Sequence, residues 1–479
     1  MPLLISGATI IDGLSAKPIE GHSLWIEGAR IKAIGPRDEL GVPPGAQVID
    51  SLGKYVIPGL MNANVHLLMD IRLENLARYL DRYEELIIEA AQVALKNGLT
   101  TVFDTYGPRR FLMAARDRIN AGKATGSRIF CAGNIIGLDG PFSQDFEFFA
   151  KGMGSASVAF ARRINAIWVE NVGRHLMWLT PEQVGQEVRS YIRKGIDFLK
   201  YASNDHVPGG FLAFSPPQQE AIVEEAHRAG ITAQAHTMSV EGLRIAVEAG
   251  CDLMAHANAT GPIPIPERTL ELMVRRKTGA VVFPQTQRRL DQLMKDESYI
   301  QRGPKEWQAI DTNVRNLIRC GAQLMLANDG CILAPEVLSN PTYASVWKSE
   351  DNLYDLAGGH FYWFRAMQEK GCSPMEMLKA ATRNIAVAYG RDNDLGTLER
   401  GKIADLLVLD KNPLEAAENY RSIHMIVKDG APVDRDALPL NPILTRPMES
   451  PVEEEASYVT YLSSGKFPPC PACSFRFRS

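Results

Sequence analysis

Side chains that could bind a metal ion or transfer a proton stand late in several apolar, strand-like runs of this sequence. Asn64 and His66 are two positions apart, so on a strand their side chains would point to the same face. Imidazole nitrogens suit zinc or cobalt, while a carboxylate such as Asp329 adds charge and can also accept a proton. Lys200, His236 and His256 are placed in the same way. These residue types together indicate a metal centre with an acid–base group.

Each of these residues has an ordinary explanation when it is taken alone. A lone histidine among apolar neighbours is more often a hydrogen-bonded core residue, and Asn64-x-His66 would also suit a solvated turn. Lys200 could be a barrel lysine that forms an ion pair with Asp329. Six polar groups at matching depths on five strands are much harder to explain in this way. We therefore predict that one metal site is formed by Asn64, His66, Lys200, His236, His256 and Asp329, with Asp329 as the catalytic residue.

The elements that would hold these residues alternate between strands and helices, which is typical of a parallel barrel. The first barrel strand ends at 64–66, and the other predicted strands cover 99–107, 127–137, 196–203, 231–238, 251–259, 279–286 and 321–330. The six residues fall at the carboxyl ends of these runs, where such a barrel keeps its active site. The fold class predicted is α/β, a (β/α)8 TIM-like barrel.

Short strands divided by Gly-rich turns fill residues 1–57, and similar strands follow at 401–414 and 423–433. Alternating apolar positions favour antiparallel β structure there. We therefore expect antiparallel strands near both chain ends, over 1–57 and 396–435. The barrel would cover 58–395, and 436–479 would form a C-terminal arm.

Two segments of the sequence resemble conserved motifs of the metal-dependent amidohydrolase superfamily. Tyr55–Leu68, which reads YVIPGLMNANVHLL, resembles the first-strand signature PGL-(I/V)-D-x-H-x-H. Gly401–Asp410 resembles the phrase G-x-x-A-D-(L/F)-(V/L)-(V/L)-(L/F)-D. The resemblance implies the barrel fold, a small β-sandwich built from both chain ends with 1–57 and 396–435 as its two parts, and a closing helix over 373–390. It also implies a ligand set with a strand-four lysine, strand-five and strand-six histidines and a strand-eight aspartate. It also implies that Lys200 is either carbamylated or neutral beside the ion.

Asn64 departs from the family pattern, because it stands where the first histidine belongs. An amide oxygen is a poorer donor for zinc than an imidazole, so we expect one divalent ion per subunit instead of two. Zinc is the expected ion, with cobalt and manganese as alternatives. The Asn-x-His variation resembles the branch of the phenylurea hydrolases, with molinate (thiocarbamate) hydrolase as its sister. This implies hydrolysis of a C–N bond in N-aryl ureas, which gives an aniline, carbon dioxide and an alkylamine.

Two other functions stay open at this point. An enzyme of the same fold could act on Xaa-Pro or Xaa-Arg dipeptides, and such relatives share the strand-four phrase around Lys200 and Tyr201. A non-catalytic scaffold with a decayed site is the alternative of another class, with Asn64 as the first loss. Retention of the other five predicted ligands argues against decay.

Residues 138–180 form a long insertion that could line a pocket above the barrel mouth or only pack against the barrel. Its large apolar residues are Phe142, Phe146, Phe148, Phe149, Met153, Trp168 and Trp178. We select His206, Tyr201, Phe142 and Phe146 as candidate substrate contacts, although His206 could equally be a surface histidine. His175 is assigned a packing or gating role.

The composition of the chain limits which classes of protein it could belong to. A chain of 479 residues with a net charge of −4 gives no reason to expect nucleic acid or an anionic membrane as a partner. No apolar run is long enough to span a bilayer, and the first residues lack the basic region of a signal peptide. Seven scattered cysteines indicate reduced thiols and a cytoplasmic protein, with Cys470 and Cys473 as free thiols of the tail. We expect a homo-oligomer that acts on a small molecule.

Overall fold

The computed structural model describes residues 2–69, 74–146, 158–206, 210–295, 303–339 and 351–446. Its strands are β1 (Leu3–Ile10), β2 (Ile19–Glu27), β3 (Arg30–Pro36), β4 (Gln47–Asp50), β5 (Tyr55–Pro58), β6 (Leu60–Val65), β7 (Leu99–Asp104), β8 (Arg128–Cys131), β9 (Leu199–Ala202), β10 (Ala233–His236), β11 (Leu253–Ala255), β12 (Gly279–Val282), β13 (Leu324–Leu326), β14 (Leu406–Leu409), β15 (Ile423–Lys428) and β16 (Ala431–Pro432).

Helices occupy most of the chain between the barrel strands. The α-helices are Arg37–Leu40, Glu74–Arg78, Tyr83–Lys96, Arg109–Asn120, Val158–Val169, Pro181–Ile192, Pro216–Arg228, Val240–Glu248, Glu267–Arg276, Gln287–Leu293, Pro304–Arg319, Pro335–Ser339, Gly359–Glu369, Pro374–Ala380 and Arg383–Ala388. Short 3-10 helices cover Gln144–Phe146, Arg174–Trp178 and Ala417–Arg421.

The barrel is assembled from two parallel sheets that meet at both edges. Strands β6, β7 and β8 form one sheet, and β9 to β13 form the other. Parallel bridges join Val65 to Gly330 and Ile136 to Tyr201, so the ring of eight strands is closed. All residues of β6, β7, β9, β10 and β12 are buried, as expected for parallel strands covered by helices. The predicted (β/α)8 barrel is confirmed.

The expected helix over 373–390 is divided into two helices. Thr382 has φ −142° and ψ −92°, which is not helical, and it separates Pro374–Ala380 from Arg383–Ala388. At this break the carbonyl of Ala381 accepts a hydrogen bond from Met61 N at 2.8 Å. The interruption therefore joins this part of the chain to barrel strand β6.

The small β domain combines strands from both ends of the chain, as predicted. Its sheet has the order β16-β15-β14-β5-β1-β2-β3, with β4 paired to β1. A separate apolar core includes Ile5 and Ile26 from the first part of the chain and Leu406 and Val408 from the second. Neither part could cover these side chains alone.

Pro58 and Gly59 carry the chain from the small sheet into the barrel. Gly59 N donates to Asp405 O at 2.9 Å, and Gly59 has no room for a Cβ because the Thr100 side chain lies against it. This close contact requires glycine at the junction. It also sets where β6 begins, and hence where Asn64 and His66 lie.

No helix in the described ranges is both long and apolar enough to cross a membrane.

The helix Gly359–Glu369 contacts the rest of the barrel through a buried histidine. His360 Nε2 lies 2.9 Å from Asn97 O, so this nitrogen carries the hydrogen and donates it. Burial lowers the pKa of His360 to about 3, although the bond to Asn97 acts in the opposite direction. The imidazole is therefore neutral in the folded protein.

We expect His360→Gln to remove a pH dependence of stability, because glutamine can donate to Asn97 O but does not titrate. The unfolded chain takes up a proton at His360 below about pH 6.5, whereas the folded chain does so only near pH 3. As the pH falls below about 6.5, the free energy of unfolding of the wild type should therefore decrease by about 1.4 kcal/mol per pH unit, relative to that of the variant. Denaturant unfolding from about pH 8 to about pH 5 measures this difference. His424→Gln, at an exposed position, is the matched control, and parallel curves for wild type and His360→Gln would contradict the account.

Candidate functional site

The carboxyl ends of the barrel strands carry the residues selected from the sequence. Asn64 lies in β6 and His66 directly follows it, Lys200 lies in β9, and His236 is the last residue of β10. His256 and Asp329 come shortly after β11 and β13.

His66 and Asp329 meet where the barrel closes. His66 Nε2 lies 2.9 Å from Asp329 Oδ1. The backbones of the same two strand ends are bonded to each other, through His66 N to Gly330 O at 2.9 Å and Asp329 N to Asn64 O at 3.1 Å. Residues from opposite ends of the barrel sequence are thus held in direct contact.

Two of the candidate residues have left-handed backbone conformations. His256 has φ +54° and Asp329 has φ +52°. Such angles are uncommon for residues other than glycine and are frequent at functional sites, where the surrounding structure maintains them. They turn the chain at the point where each strand ends.

Asp329 is the electrostatic centre of the group. Burial alone would raise the pKa of its carboxyl, but His66, His256 and Lys200 lower it, and the net effect is a pKa far below the ordinary value. Asp329 is therefore ionised at neutral pH.

Lys200 is buried and hydrogen-bonded. Its Nζ donates to Thr105 Oγ1 at 2.9 Å, whereas the sequence had left an ion pair with Asp329 open. Burial lowers the pKa of Lys200 to about 8, against the opposite effects of Asp329 and Asp104.

Thr105 also contacts Asn64. The Thr105 hydroxyl donates a short hydrogen bond to Asn64 Oδ1. Asn64 Nδ2 and His66 Nδ1 are buried and have no hydrogen-bond partner among the described residues. A buried polar atom left unpaired costs about 1–3 kcal/mol, so these two atoms indicate where a ligand would be bound.

Aromatic rings extend from His66 along one side of the site. Tyr106 meets His66 edge-on, with ring centres 6.1 Å apart, and stacks on Phe146 at 4.6 Å. The ring of Phe146 is in turn 4.8 Å from that of His206. His206 and Phe146, both selected from the sequence, are thus brought to the site.

The row of rings continues from His206 to the histidines at the ends of β10 and β11. His206 lies 4.4 Å from His236, and His236 lies 4.8 Å from His256, measured between ring centres. His256 stacks on Phe283 at 4.7 Å. We call the rings of Tyr106, Phe146 and Phe283 the aromatic wall.

Tyr201 is not brought to this group. Its hydroxyl donates to Gln219 Oε1 at 3.1 Å, on the helix Pro216–Arg228 outside the barrel. Successive strand residues point to opposite faces, so Tyr201 faces the helices because Lys200 faces the interior. This geometry removes Tyr201 as a substrate contact.

The other residues of the insertion have different positions. Phe142 is half-buried against the main core, and Trp168 is buried behind Tyr106 at 6.5 Å between ring centres. Trp178 is 87% exposed, and His175 is also exposed. Phe148, Phe149 and Met153 lie outside the described residues, as do Cys470 and Cys473.

Sequence reasoning missed the end of the second barrel strand. Asp104 is buried there, and its two carboxylate oxygens accept hydrogen bonds from Leu67 N at 2.7 Å and Tyr106 N at 3.2 Å. Burial raises the pKa of Asp104 to about 8, against the effects of these bonds and of Lys200. Asp104, Thr105 and Tyr106 end the strand-like run 99–107, so the criterion that selected Lys200 would have found them. Phe283, directly after β12, was missed for a different reason, because it is apolar and the criterion selected polar residues at strand ends.

The donor types fit a divalent ion, since neutral imidazoles and a carboxylate are typical ligands of zinc. The buried, unpaired Nδ1 of His66 agrees with this. As the side chains stand, however, the described residues include no group of three or more His, Cys, Asp or Glu arranged to hold an ion.

The family model that matches the chain is that of the amidohydrolase family, over residues 55–433. The chain belongs to the amidohydrolase family. Members of this superfamily generally use a divalent metal ion. The resemblance seen in the sequence is thereby confirmed.

Solved structures and a curated relative extend the comparison. The chain is similar to molinate hydrolase, with TM-score 0.88 and 36% identity over 94% of this chain and 98% of that one. Phenylurea hydrolase B gives TM-score 0.87 and 38% identity over 94% of this chain and 100% of that one. An ochratoxinase from Aspergillus niger is 25% identical over 335 residues, which are 67% of this chain and 62% of that protein. The chain thus matches less than two thirds of the length of that relative.

Proposed function

We propose that this amidohydrolase hydrolyses a C–N bond other than a peptide bond, with N-aryl ureas as its substrates. The observation that carries the proposal is the aromatic wall beside His66, His236 and His256. Similarity to phenylurea hydrolase B, at 38% identity over 100% of that chain, supports it.

The aromatic wall suits a flat apolar ring. Aryl rings pack well against aromatic side chains in stacked or edge-on arrangements. A zwitterionic dipeptide would instead need charged partners for its amino and carboxylate groups. Tyr106 and Phe146 stack within 4.6 Å of each other next to His66, so an aryl group there would hold its urea carbonyl near the polar residues.

The polar residues would hold one divalent ion, with zinc preferred and cobalt or manganese as alternatives. We assign His66, His236, His256 and Asp329 to it, with Lys200 neutral or carbamylated beside it. When bound, such an ion would lower the pKa of water and polarise the urea carbonyl.

Asp329 is the proposed proton carrier. It is ionised, lies 2.9 Å from His66 Nε2, and as a carboxylate can accept a proton. As the oxygen of water bonds to the urea carbon, Asp329 takes one proton of that water. It then delivers this proton to the aniline nitrogen when the C–N bond breaks. The remaining carbamic acid loses carbon dioxide and releases the alkylamine, so the atoms balance.

We expect about one tightly bound divalent ion per chain. Elemental analysis of the purified protein measures this number, and chelation should abolish activity that zinc or cobalt restores. His236→Ala and His256→Ala should lose the ion, because each removes an imidazole donor. His227→Ala is the control, since His227 lies on the outer helix Pro216–Arg228 and contacts Asp252. Two tightly bound ions per chain would contradict the assignment.

Asp329→Asn should lower turnover about a hundredfold or more, because the amide cannot accept the proton of water. The change is nearly isosteric, so thermal unfolding should show a folded variant. Steady-state kinetics with the best substrate measure the effect. A variant that keeps most of its turnover would exclude Asp329 as the proton carrier.

A substrate panel tests the function itself. A dimethyl phenylurea such as diuron, the thiocarbamate molinate, and Xaa-Pro and Xaa-Arg dipeptides are assayed side by side with metal-loaded protein. We expect the highest kcat/KM for the phenylurea. A preference for the thiocarbamate would assign the chain to the activity of molinate hydrolase, and faster turnover of either dipeptide would overturn the proposal. Turnover of none of them would favour a non-catalytic scaffold.

A further inference from the structure

We propose that Asn64 donates a hydrogen bond to the carbonyl oxygen of the substrate instead of binding the metal ion, and that Thr105 holds its amide in the required orientation. This inference rests on the proposed hydrolase function, but it assigns a new role to Asn64 and a first role to Thr105.

The direction of the hydrogen bonds identifies the two ends of the Asn64 amide. Lys200 Nζ donates to Thr105 Oγ1 at 2.9 Å, so the hydroxyl hydrogen of Thr105 is left for its other neighbour. That neighbour must be an acceptor, and it is Asn64 Oδ1. A carbamylated Lys200 would keep one hydrogen on Nζ, so this chain of donors does not depend on the modification.

The amide oxygen of Asn64, which has two lone pairs, therefore already uses one of them to accept from Thr105. It is the only atom of that side chain that could bind a cation, because an amide nitrogen has no available lone pair. The nitrogen Nδ2 is left as a buried donor with no hydrogen-bond partner among the described residues. Asn64 is fully buried, and strand alternation directs it to the same face as His66.

A fixed donor at this position suits hydrolysis of a carbonyl compound. Negative charge develops on the carbonyl oxygen as water attacks the carbon, and an oriented N–H group stabilises that charge more than it stabilises the uncharged substrate. Thr105 makes the donor rigid, since a free amide could rotate and present its oxygen, which would repel the developing charge. Asn64, which departs from the family pattern, would thus stabilise the negative charge that develops during hydrolysis.

Two variants of Asn64 separate donor from ligand. Asn64→Leu removes the donor at similar volume, and Asn64→Asp replaces the N–H group with an oxygen that binds cations well. We expect both to keep the metal content of the wild type during dialysis against graded chelator, and both to lose about a hundredfold in kcat with little change in KM. Loss of the ion in Asn64→Leu with retained ion and activity in Asn64→Asp would identify Asn64 as a ligand and overturn the proposal. If Asn64→Leu does not fold, Asn64→Asp alone decides, since a ligand role predicts that it stays active.

Thr105 is tested by the pair Thr105→Val and Thr105→Ser. Valine has nearly the same shape without the hydroxyl, so kcat should fall, and serine should restore most of the loss. Because the two residues act together, Thr105→Val should cost little more in the Asn64→Leu background, as a double-mutant cycle measures. Unchanged kcat in Thr105→Val, or additive losses in the double variant, would refute the positioning role.

Failure of this inference can be told apart from failure of the proposed function. The inference concerns a carbonyl oxygen and not the aryl ring, so kcat is measured on whichever panel substrate the wild type turns over fastest. A preference for dipeptides overturns the substrate assignment while the variants still decide the role of Asn64. Wild-type kcat in Asn64→Leu overturns the inference while the phenylurea assignment stands.

Discussion

The site depends on one contact, the closure of the barrel between its first and last strands. His66 N to Gly330 O and Asp329 N to Asn64 O are backbone hydrogen bonds that join β6 to the end of β13. The same junction brings His66 Nε2 to within 2.9 Å of Asp329 Oδ1. Fold and site are thus inseparable here, because any opening of the ring would part the residues that meet across it.

Closure also places charged groups where water cannot reach them. Lys200 and Asp104 are buried, and their pKa values move towards each other, to about 8 in both cases, because burial disfavours the charged form of each. Asp329 behaves differently, since His66, His256 and Lys200 keep it ionised. The barrel mouth therefore holds an ionised carboxylate beside a buried lysine and a buried carboxyl group whose pKa values have both shifted towards neutrality.

Apolar contacts complete the site around this polar centre. Tyr106 stacks on Phe146, and Trp168 lies buried behind Tyr106, so the insertion supports the wall from outside the barrel. Phe283 reaches the histidines from the far side through its stacking on His256. Aromatic side chains and polar side chains are thus packed next to each other at the barrel mouth.

The family resemblance implied the small domain made from both chain ends, whereas the sequence pattern predicted the barrel and the strand-end positions of the polar residues. The barrel and these positions follow from local pattern, since alternating strands and helices and a residue's place in its strand are properties of short segments. Which of these residues contact each other became visible only in the folded chain. Tyr201 faces the outer helices and contacts Gln219, Thr105 links Lys200 to Asn64, and Phe283 joins the wall. The direction of Tyr201 follows from strand alternation once Lys200 faces the interior, but its partner Gln219 does not. The contacts of Thr105 join segments 41 and 95 residues apart, and they depend on how the strands pair in the ring, which no local pattern contains.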